Sequence, residues 1–597
     1  MDLMDEQRES VWSHSIPWKE QLQIIKRLFL FAKPFKWYFY FSIIFAALVS
    51  VINILLPKII QRFMDKYLAL GKADETVIWL FAGLYFFGMV FKALTQFGQT
   101  YLYSMGAEYM LEDTRKILFK KLHSLGMRYF DQVPSGSILS RLTNDTMAFQ
   151  NFWQLFSSLI VAVFAMVSAF IAMFVTDKTI ALWLLLFMPF LAVTIWYYQK
   201  YSSRVYRQMR EKLSILNNKL AESITGVTVI QDFRQEQRVD REFEDVNSQY
   251  YQTRKAMIRV NSLLLSPIVN LFYSLGTVLI LGIFGVRGLS AYVAAGVVYA
   301  FVTYLENFYN PLSEVMEFFS DFQDGIVAGS RVLKIIDDDT LAPTQKKGAS
   351  ARLQLGKVEF RHVTFSYDGK HTILKDVSFI AHPGETIALV GQTGSGKTSI
   401  INVLMRFYEF GTGEILLDDR DIRDYPLEEL RAKLGLVLQE PYMFYGTIKS
   451  NIRMFNDEIT DDQIKQAAKF VNADQFIEQL PGKYDAKVIE RGTSYSTGQK
   501  QLIAFARTVA TDPKILILDE ATSNIDTETE KMIQEGLDKI QQGRTTIAVA
   551  HRLSTIQNAD QILVLSQGQI VERGTNNELL KNHGMYYDMI RKQNAAH

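Results

Sequence analysis

The sequence predicts a chain in two parts. The first is a membrane all-α domain of six transmembrane helices with long cytoplasmic extensions, and the second is an α/β domain built on a P-loop. Three observations carry this reading. Six stretches approach the roughly 20 apolar residues that a helix needs to cross a bilayer. Gly391-Gln392-Thr393-Gly394-Ser395-Gly396-Lys397-Thr398 fits G-x-x-x-x-G-K-[ST] at every constrained position. At 597 residues the chain exceeds what one hydrophobic core organises.

Composition narrows the classes further. A formal net charge of +1 gives no sign of a nucleic-acid-binding protein. The absence of cysteine excludes disulfides, thiolate metal sites and cysteine nucleophiles. Acids and a proline precede any apolar run in the first thirty residues, so no cleavable signal peptide is expected.

In chain order, residues 1–35 form an N-terminal cytoplasmic segment. Its Pro17–Ala32 stretch has apolar side chains at helical spacing, interrupted by Lys19, Lys26 and Arg27. That pattern fits an amphipathic helix lying on the cytoplasmic face of a membrane; a soluble packing helix is the competing reading. Residues 36–336 hold the six spans, near Trp37–Ile60, Thr76–Phe97, Phe152–Val175, Ile180–Tyr198, Asn261–Val286 and Ala291–Tyr309. The first, third and fifth links are short, whereas those near 98–151 and 199–260 are long. The second long link is dense in base, including Arg204, Arg207, Arg210, Arg234, Arg238 and Arg241. The positive-inside bias therefore places both long links and both termini in the cytoplasm. Each long link keeps a helical apolar and charged pattern, as in Asp113–Leu125 and Leu213–Ile224. Two continuing helices per link, about 25 residues each at ~1.5 Å per residue, would extend ~35–40 Å from the membrane. The turns between them are expected at Phe130–Gly136 and Gly226–Gln231.

Charge within the spans is rare. Lys92 falls in the second and Glu306 in the last, amid Tyr304, Phe308 and Tyr309. An intramembrane carboxylate faces a cavity, a partner or a substrate, so Glu306 is a candidate cation contact with rings nearby for cation–π attraction. A position near the membrane surface, or a structural ion pair, is the alternative.

Residues 337–355 read as a linker, with turn formers and charge from Asp337 to Ser350. Residues 356–597 form the nucleotide-binding domain, opening with strands over Lys357–Tyr367 and Thr372–Ala381. The apolar run Thr386–Val390 before the P-loop reads as a buried strand, and Ser399–Met405 as a helix. In that setting Gly391 through Thr398, with Ser399, are candidate nucleotide contacts. The glycines leave room for phosphate oxygens and the helix start points N–H groups at the anion. Lys397 reaches the β/γ-phosphates, and the Thr398 hydroxyl ligates Mg²⁺. Downstream, Lys514–Leu518 is an apolar strand ending in Asp519 and Glu520. Asp519 fits the Mg²⁺ shell, and Glu520 a base that polarises water for attack on the γ-phosphate.

With these and several further motifs in order, the whole chain resembles the ATP-binding cassette family, in the form of an exporter half-transporter of bacterial multidrug type. The resemblance implies that Tyr367 stacks on adenine and that Gln439 is the Q-loop residue touching Mg²⁺. It places Ser496, Thr497, Gly498 and Gln499 in the signature, Asp526 in the D-loop, and His551 as the switch histidine beside catalytic Glu520. It also implies two cassettes dimerised head to tail, each ATP lying between one P-loop and the other's signature.

The chain departs from the family's usual Leu-Ser-Gly-Gly-Gln signature, with Tyr495 for Leu and Thr497 for the first Gly. A β-branched residue adds bulk where backbone approaches phosphate, so the site built from this signature should hydrolyse poorly. Intact Asp519, Glu520 and His551 then resemble one half of a heterodimeric exporter. The expected partner is a different half-transporter with a regular signature and a degenerate Walker B. The activity implied is ATP-driven export of amphipathic compounds from the cytoplasm or inner leaflet across the plasma membrane. A lipid flippase of the same architecture and a homodimeric exporter are the alternatives, with an ATP-gated channel as a different class.

Overall fold

The computed structural model describes residues 17–594 apart from 265, 291, 520–526 and 550–556. The described residues form two compact units, one within 17–123 and 134–338, the other within 124–133 and 339–594.

The first unit is helical. An N-terminal helix α1 (Trp18–Phe31) precedes α2 (Lys36–Phe63) and the 50-residue α3 (Glu75–Ser124). A short α4 (Met127–Gln132) lies in the segment that groups with the second unit. Then come α5 (Ser135–Ser140), α6 (Thr146–Thr176), α7 (Lys178–Leu185), α8 (Phe187–Thr225), α9 (Val227–Asp232), α10 (Glu236–Leu264), α11 (Ser266–Ser290) and α12 (Ala295–Ile336). Over the described residues, five helical stretches are long and apolar enough to cross a membrane: Lys33–Leu68, Glu75–Ser124, Ser135–Thr176, Lys178–Thr225 and Glu236–Ser290. The sixth expected span lies in α12, a single 42-residue helix. Glu306, Asn307 and Asn310 dilute its apolar character.

The extensions form as the helical pattern in the long links requires. At ~1.5 Å per residue α3 is about 75 Å long, more than twice a hydrocarbon core of ~30 Å. Helices α8 and α10 run antiparallel, tied by Lys219 Nζ to Glu242 (2.6 Å), Lys212 Nζ to Gln249 (2.8 Å) and Tyr198 Oη to Asn261 (3.2 Å). Helix α12 lies close against α6 and α1 because small residues allow it. A Cβ at Gly325 would stand 2.7 Å from the Phe152 side chain, and one at Gly329 would stand 2.9 Å from Leu28.

The surroundings of Glu306 differ from the expectation. Tyr304, Phe308 and Tyr309 are buried in the unit's core, whereas Glu306 is exposed. At about 100° per residue, Tyr304 and Phe308 each lie ~200° from Glu306. Tyr304 and Phe308 therefore lie across α12 from the carboxylate and do not form a cage around it, while Tyr309, on the Glu306 side by spacing, is itself buried in the core.

The second unit is α/β. Strands β1 (Val358–Phe365), β2 (Leu374–Ala381), β4 (Thr412–Leu417) and β5 (Arg420–Asp421) form an antiparallel sheet in the order β2-β1-β4-β5. The second sheet takes β3 (Thr386–Gly391), β6 (Leu434–Val437), β9 (Ile515–Asp519), β10 (Thr545–Val549), β11 (Gln561–Ser566) and β12 (Gln569–Gly574), ordered β12-β11-β3-β10-β9-β6. All its neighbours are parallel except β12. Its central strands read as unbroken apolar runs because helices cover both faces of such a sheet. A two-residue ribbon joins β7 (Gly446–Thr447) to β8 (Lys487–Val488). Residues before β1 also lie on this unit: Gln345 Nε2 donates to the carbonyls of Ile422 and Tyr425, and Ala351 and Leu353 are buried in its core.

Candidate functional site

Strand register brings the predicted motifs to one edge. Val549 pairs with both Leu389 and Asp519, and Leu518 pairs with Val437. The carboxyl ends of β3, β10, β9 and β6 therefore align, and ligands of open parallel sheets bind beyond such ends. The P-loop leaves β3 there, Asp519 closes β9, and Gln439 follows β6 by two residues. Glu520, Asp526 and His551 lie outside the described residues.

The loop between β3 and α13 (Lys397–Leu404) is tightly built. A Cβ on Gly391 would stand 2.4 Å from the Leu565 carbonyl and 2.6 Å from the Ser395 hydroxyl, so only glycine fits. Gly396 enters the helix at φ +107°, a left-handed conformation that glycine adopts without a Cβ penalty. The Lys397 ammonium is buried and bonds the carbonyls of Gly391 (2.6 Å) and Gln392 (3.1 Å). Thr398 is exposed. The Ser395 hydroxyl is buried and finds no hydrogen-bond partner among the described residues. An acceptor oxygen from a phosphate would complete it, so the cradle fits the group its sequence implies.

Tyr367 is half-buried beside this loop. Asn402 Nδ2 donates to its hydroxyl at 2.9 Å, and that hydroxyl lies 3.1 Å from Ser399 Oγ. Its ring meets Tyr408 edge-on at 4.8 Å. The turn after it is fixed by Asp368, which accepts from the backbone N–H groups of Lys370 and His371 and from the His371 ring. Those His371 bonds come first in holding the Asp368 carboxyl well below its usual range, and Asp368 in turn raises His371. The sequence carried Tyr367 but gave no signal for Ser399 or Asn402 as its hydroxyl's partners.

Tyr408 opens a second connection that sequence reasoning missed. Its hydroxyl donates to Asp131 of α4. Burial first, and then this bond, hold the phenol protonated above its usual range. The backbone reinforces the placement: Gly126 N–H donates to Thr340 O at 2.8 Å, and Ala342 N–H to Ser124 O at 3.2 Å. Thus a short helix that follows α3 in the chain, after a break at Leu125 and Gly126, is one ring away from Tyr367.

The segment 495–499 starts helix α18, which spans Thr497–Ala510 once α14 (Leu427–Lys433), α15 (Ile448–Arg453), α16 (Asp461–Phe470) and α17 (Asp474–Ile477) are counted. Ser496 caps it, accepting from Gln499 N–H, while the Gln499 side chain accepts from Ser496 N–H. Gly498 is buried in the first turn. Tyr495 is accommodated as a core residue, 8% exposed, with its hydroxyl donating to Lys487 O at 3.1 Å. Arg507, further along α18, donates to the carbonyls of Asn451 and Tyr442, and burial lowers its pKa. It ties the helix to the stretch that follows Gln439.

Comparison with known proteins agrees with this geometry. Residues 39–312 match the family "ABC transporter transmembrane region", and residues 374–523 match "ABC transporter". The chain is 46% identical over 580 residues to the Streptococcus pneumoniae "Putative ABC transporter ATP-binding protein exp8", covering 97% of this chain and 98% of that one. It is 41% identical to the Bacillus subtilis "Probable multidrug resistance ABC transporter ATP-binding/permease protein YheH", over 89% of this chain and 79% of that one. Among solved structures, a bacterial Atm1-family ABC exporter with ATP bound superposes with a TM-score of 0.76 at 26% identity, covering 92% of this chain and 97% of that chain.

Proposed function

The chain belongs to the ABC transporter family, as a membrane exporter with an ATP-binding domain that is an ATPase coupled to transport, and from this we propose that it is one half of an asymmetric multidrug exporter. The observation that carries the proposal is an intact P-loop, Asp519 and Glu520 in a chain whose signature reads Tyr495-Ser-Thr-Gly-Gln499. Bulk at Thr497 lies where a phosphate must approach the helix start, so the site this signature completes turns over slowly. The P-loop of this chain is completed by a second, different half-transporter with a regular signature. Burial of Ser496, Thr497, Gly498 and Gln499 against a nucleotide then requires the assembled pair.

At the competent site, Gly391–Ser399 hold the phosphates and Tyr367 stacks on the base. Glu520 polarises the attacking water, His551 contacts the γ-phosphate, and Asp526 joins the facing cassette. Thr398, Gln439 and Asp519 would hold Mg²⁺, which when bound supplies charge neutralisation at the β- and γ-phosphates. The cassettes and both termini lie in the cytoplasm, and the six spans cross the plasma membrane. Export of amphipathic compounds is supported by the name of the YheH relative and by the aromatic, sparsely charged spans. Glu306, exposed on α12 across from Tyr304 and Phe308, contacts cationic cargo; in hydrocarbon an exposed carboxylate would be costly. A lipid-type cargo is the second reading, favoured by a 35% identical relative in Mycobacterium bovis named as a fatty acid ABC transporter.

The test is ATPase activity in lipid, of this chain alone and copurified with a coexpressed half-transporter that bears a regular signature. Activity confined to the mixed complex is expected. Comparable activity from this chain alone would establish a homodimer and overturn the asymmetric reading.

A further inference from the structure

A cavity of about 650 Å³ lies in the first unit, walled by α1, the start of α2, and side chains of α3 and α6. That size falls within the range of small-ligand pockets, and its lining is unlike a structural void. Phe29 and Trp153 meet edge-on at 4.9 Å, and Phe39 stacks on Trp153 at 5.4 Å. Trp153 is only 3% exposed, yet its indole N–H has no hydrogen-bond partner among the described residues. Buried donors are nearly always satisfied, so a wall of this cavity holds a donor in need of an acceptor. Lys33 and Lys36 line the same cavity, both exposed, and neither forms an ion pair among the described residues. The Lys36 ammonium lies 5.6 Å from the centre of the Trp37 ring. Trp37 and Tyr40 also line the cavity and are 59% and 55% exposed.

Aromatic side chains mixed with lysine at the end of a spanning helix are the composition of a membrane interface, and basic pockets between spanning helices receive anionic headgroups. We propose that this cavity binds one anionic glycerophospholipid. The two ammonium groups take the phosphodiester, the Trp153 N–H donates to a phosphate or ester oxygen, and an acyl chain runs along Trp37 and Tyr40. The occupant is a membrane lipid in preference to a soluble phosphate, because Lys33 and Lys36 are, among the described residues, the only charged side chains in a lining that is otherwise aromatic and aliphatic. It rests on reading Pro17–Ala32 as a helix at the membrane surface, and on nothing about cargo or partner.

The test is native mass spectrometry of the full-length protein in detergent, titrated with dioleoyl phosphatidylglycerol or dioleoyl phosphatidylcholine. It reads bound lipid directly, so it stands or falls separately from transport and ATPase activity. One phosphatidylglycerol per chain, retained at least tenfold better than phosphatidylcholine, is expected. K33Q/K36Q should bring phosphatidylglycerol down to the phosphatidylcholine level, and W153F should lower its occupancy several-fold. Equal retention of the two lipids by the unaltered protein, or undiminished preference in K33Q/K36Q, would overturn the proposal. Displacement of the bound lipid by glycerol 3-phosphate at equal concentration would assign the site to a soluble phosphate and overturn it as well.

Discussion

Replacing Tyr408 with Phe tests whether helix α4 is held where the structure places it. The substitution keeps a ring that is 8% exposed and meets Tyr367 at 4.8 Å, and removes only the hydroxyl that donates to Asp131. A hydrogen bond to a charged group contributes ~1.5–3 kcal/mol. Asp131 is exposed, so solvent screening brings the expected loss to about 1–1.5 kcal/mol, a five- to tenfold shift toward release of α4. Two backbone bonds to residues 340 and 342 remain, so the helix loosens without detaching. Hydrogen exchange of the amides in Met127–Gln132 should quicken about five- to tenfold, while those of β3 and β10 stay unchanged. Asp131→Asn should give a similar effect, and the double variant no more than either single one, since both act on one bond. Exchange unchanged within twofold in Tyr408→Phe would show that this hydroxyl does not hold α4. If α4 carries the response to nucleotide, the same variant lowers substrate-stimulated ATPase more than basal ATPase.

Three further outcomes follow from the geometry. Gly391→Ala forces a Cβ to 2.4 Å from the Leu565 carbonyl; overpacking of about 1–3 kcal/mol should lower the Tm of the nucleotide domain by several degrees in a thermal melt and weaken ATP binding with it. Burial pushes the Asp421 carboxyl up, but bonds from the Arg423 side chain and backbone outweigh it and hold it at about 2. Its folded pKa is thus below the ordinary 3.8, so its stabilisation is present above that value and lost as pH falls through about 2; Asp421→Asn should flatten this part of the acid unfolding profile. Glu306→Gln should raise the apparent KM for a monovalent cationic dye about fivefold, the ~1 kcal/mol of a charge pair at 4 Å in water, and leave a neutral dye unaffected.

Much of this fold was legible because its signals are local. The P-loop strand and helix, the apolar strand ending in Asp519, and the helical pattern of Asp113–Leu125 and Leu213–Ile224 each lie within one short window. The face of Glu306 was also legible, since the spacing from Tyr304 and Phe308 puts it across the helix; residue type drew attention away from periodicity. The placement of residues 124–133 with the second unit was not, because it rests on Tyr408, Thr340 and Ala342, more than 200 positions away in sequence. Residues 345–353, within the expected linker 337–355, read as linker for a related reason. Its turn-forming composition is real, but Gln345, Ala351 and Leu353 are held by carbonyls and apolar side chains that a local reading does not contain.

In the proposed exporter with two unequal sites, this chain carries the competent catalytic residue, Glu520. The decisive measurement uses inside-out membrane vesicles containing this chain and a coexpressed half-transporter with a regular signature, given ATP and a fluorescent cationic amphipath. ATP-dependent accumulation of the dye is expected, and its loss when Glu520→Gln is introduced into this chain alone, since removing a catalytic base costs about 10²- to 10⁴-fold in rate. Accumulation undiminished by Glu520→Gln would contradict that assignment.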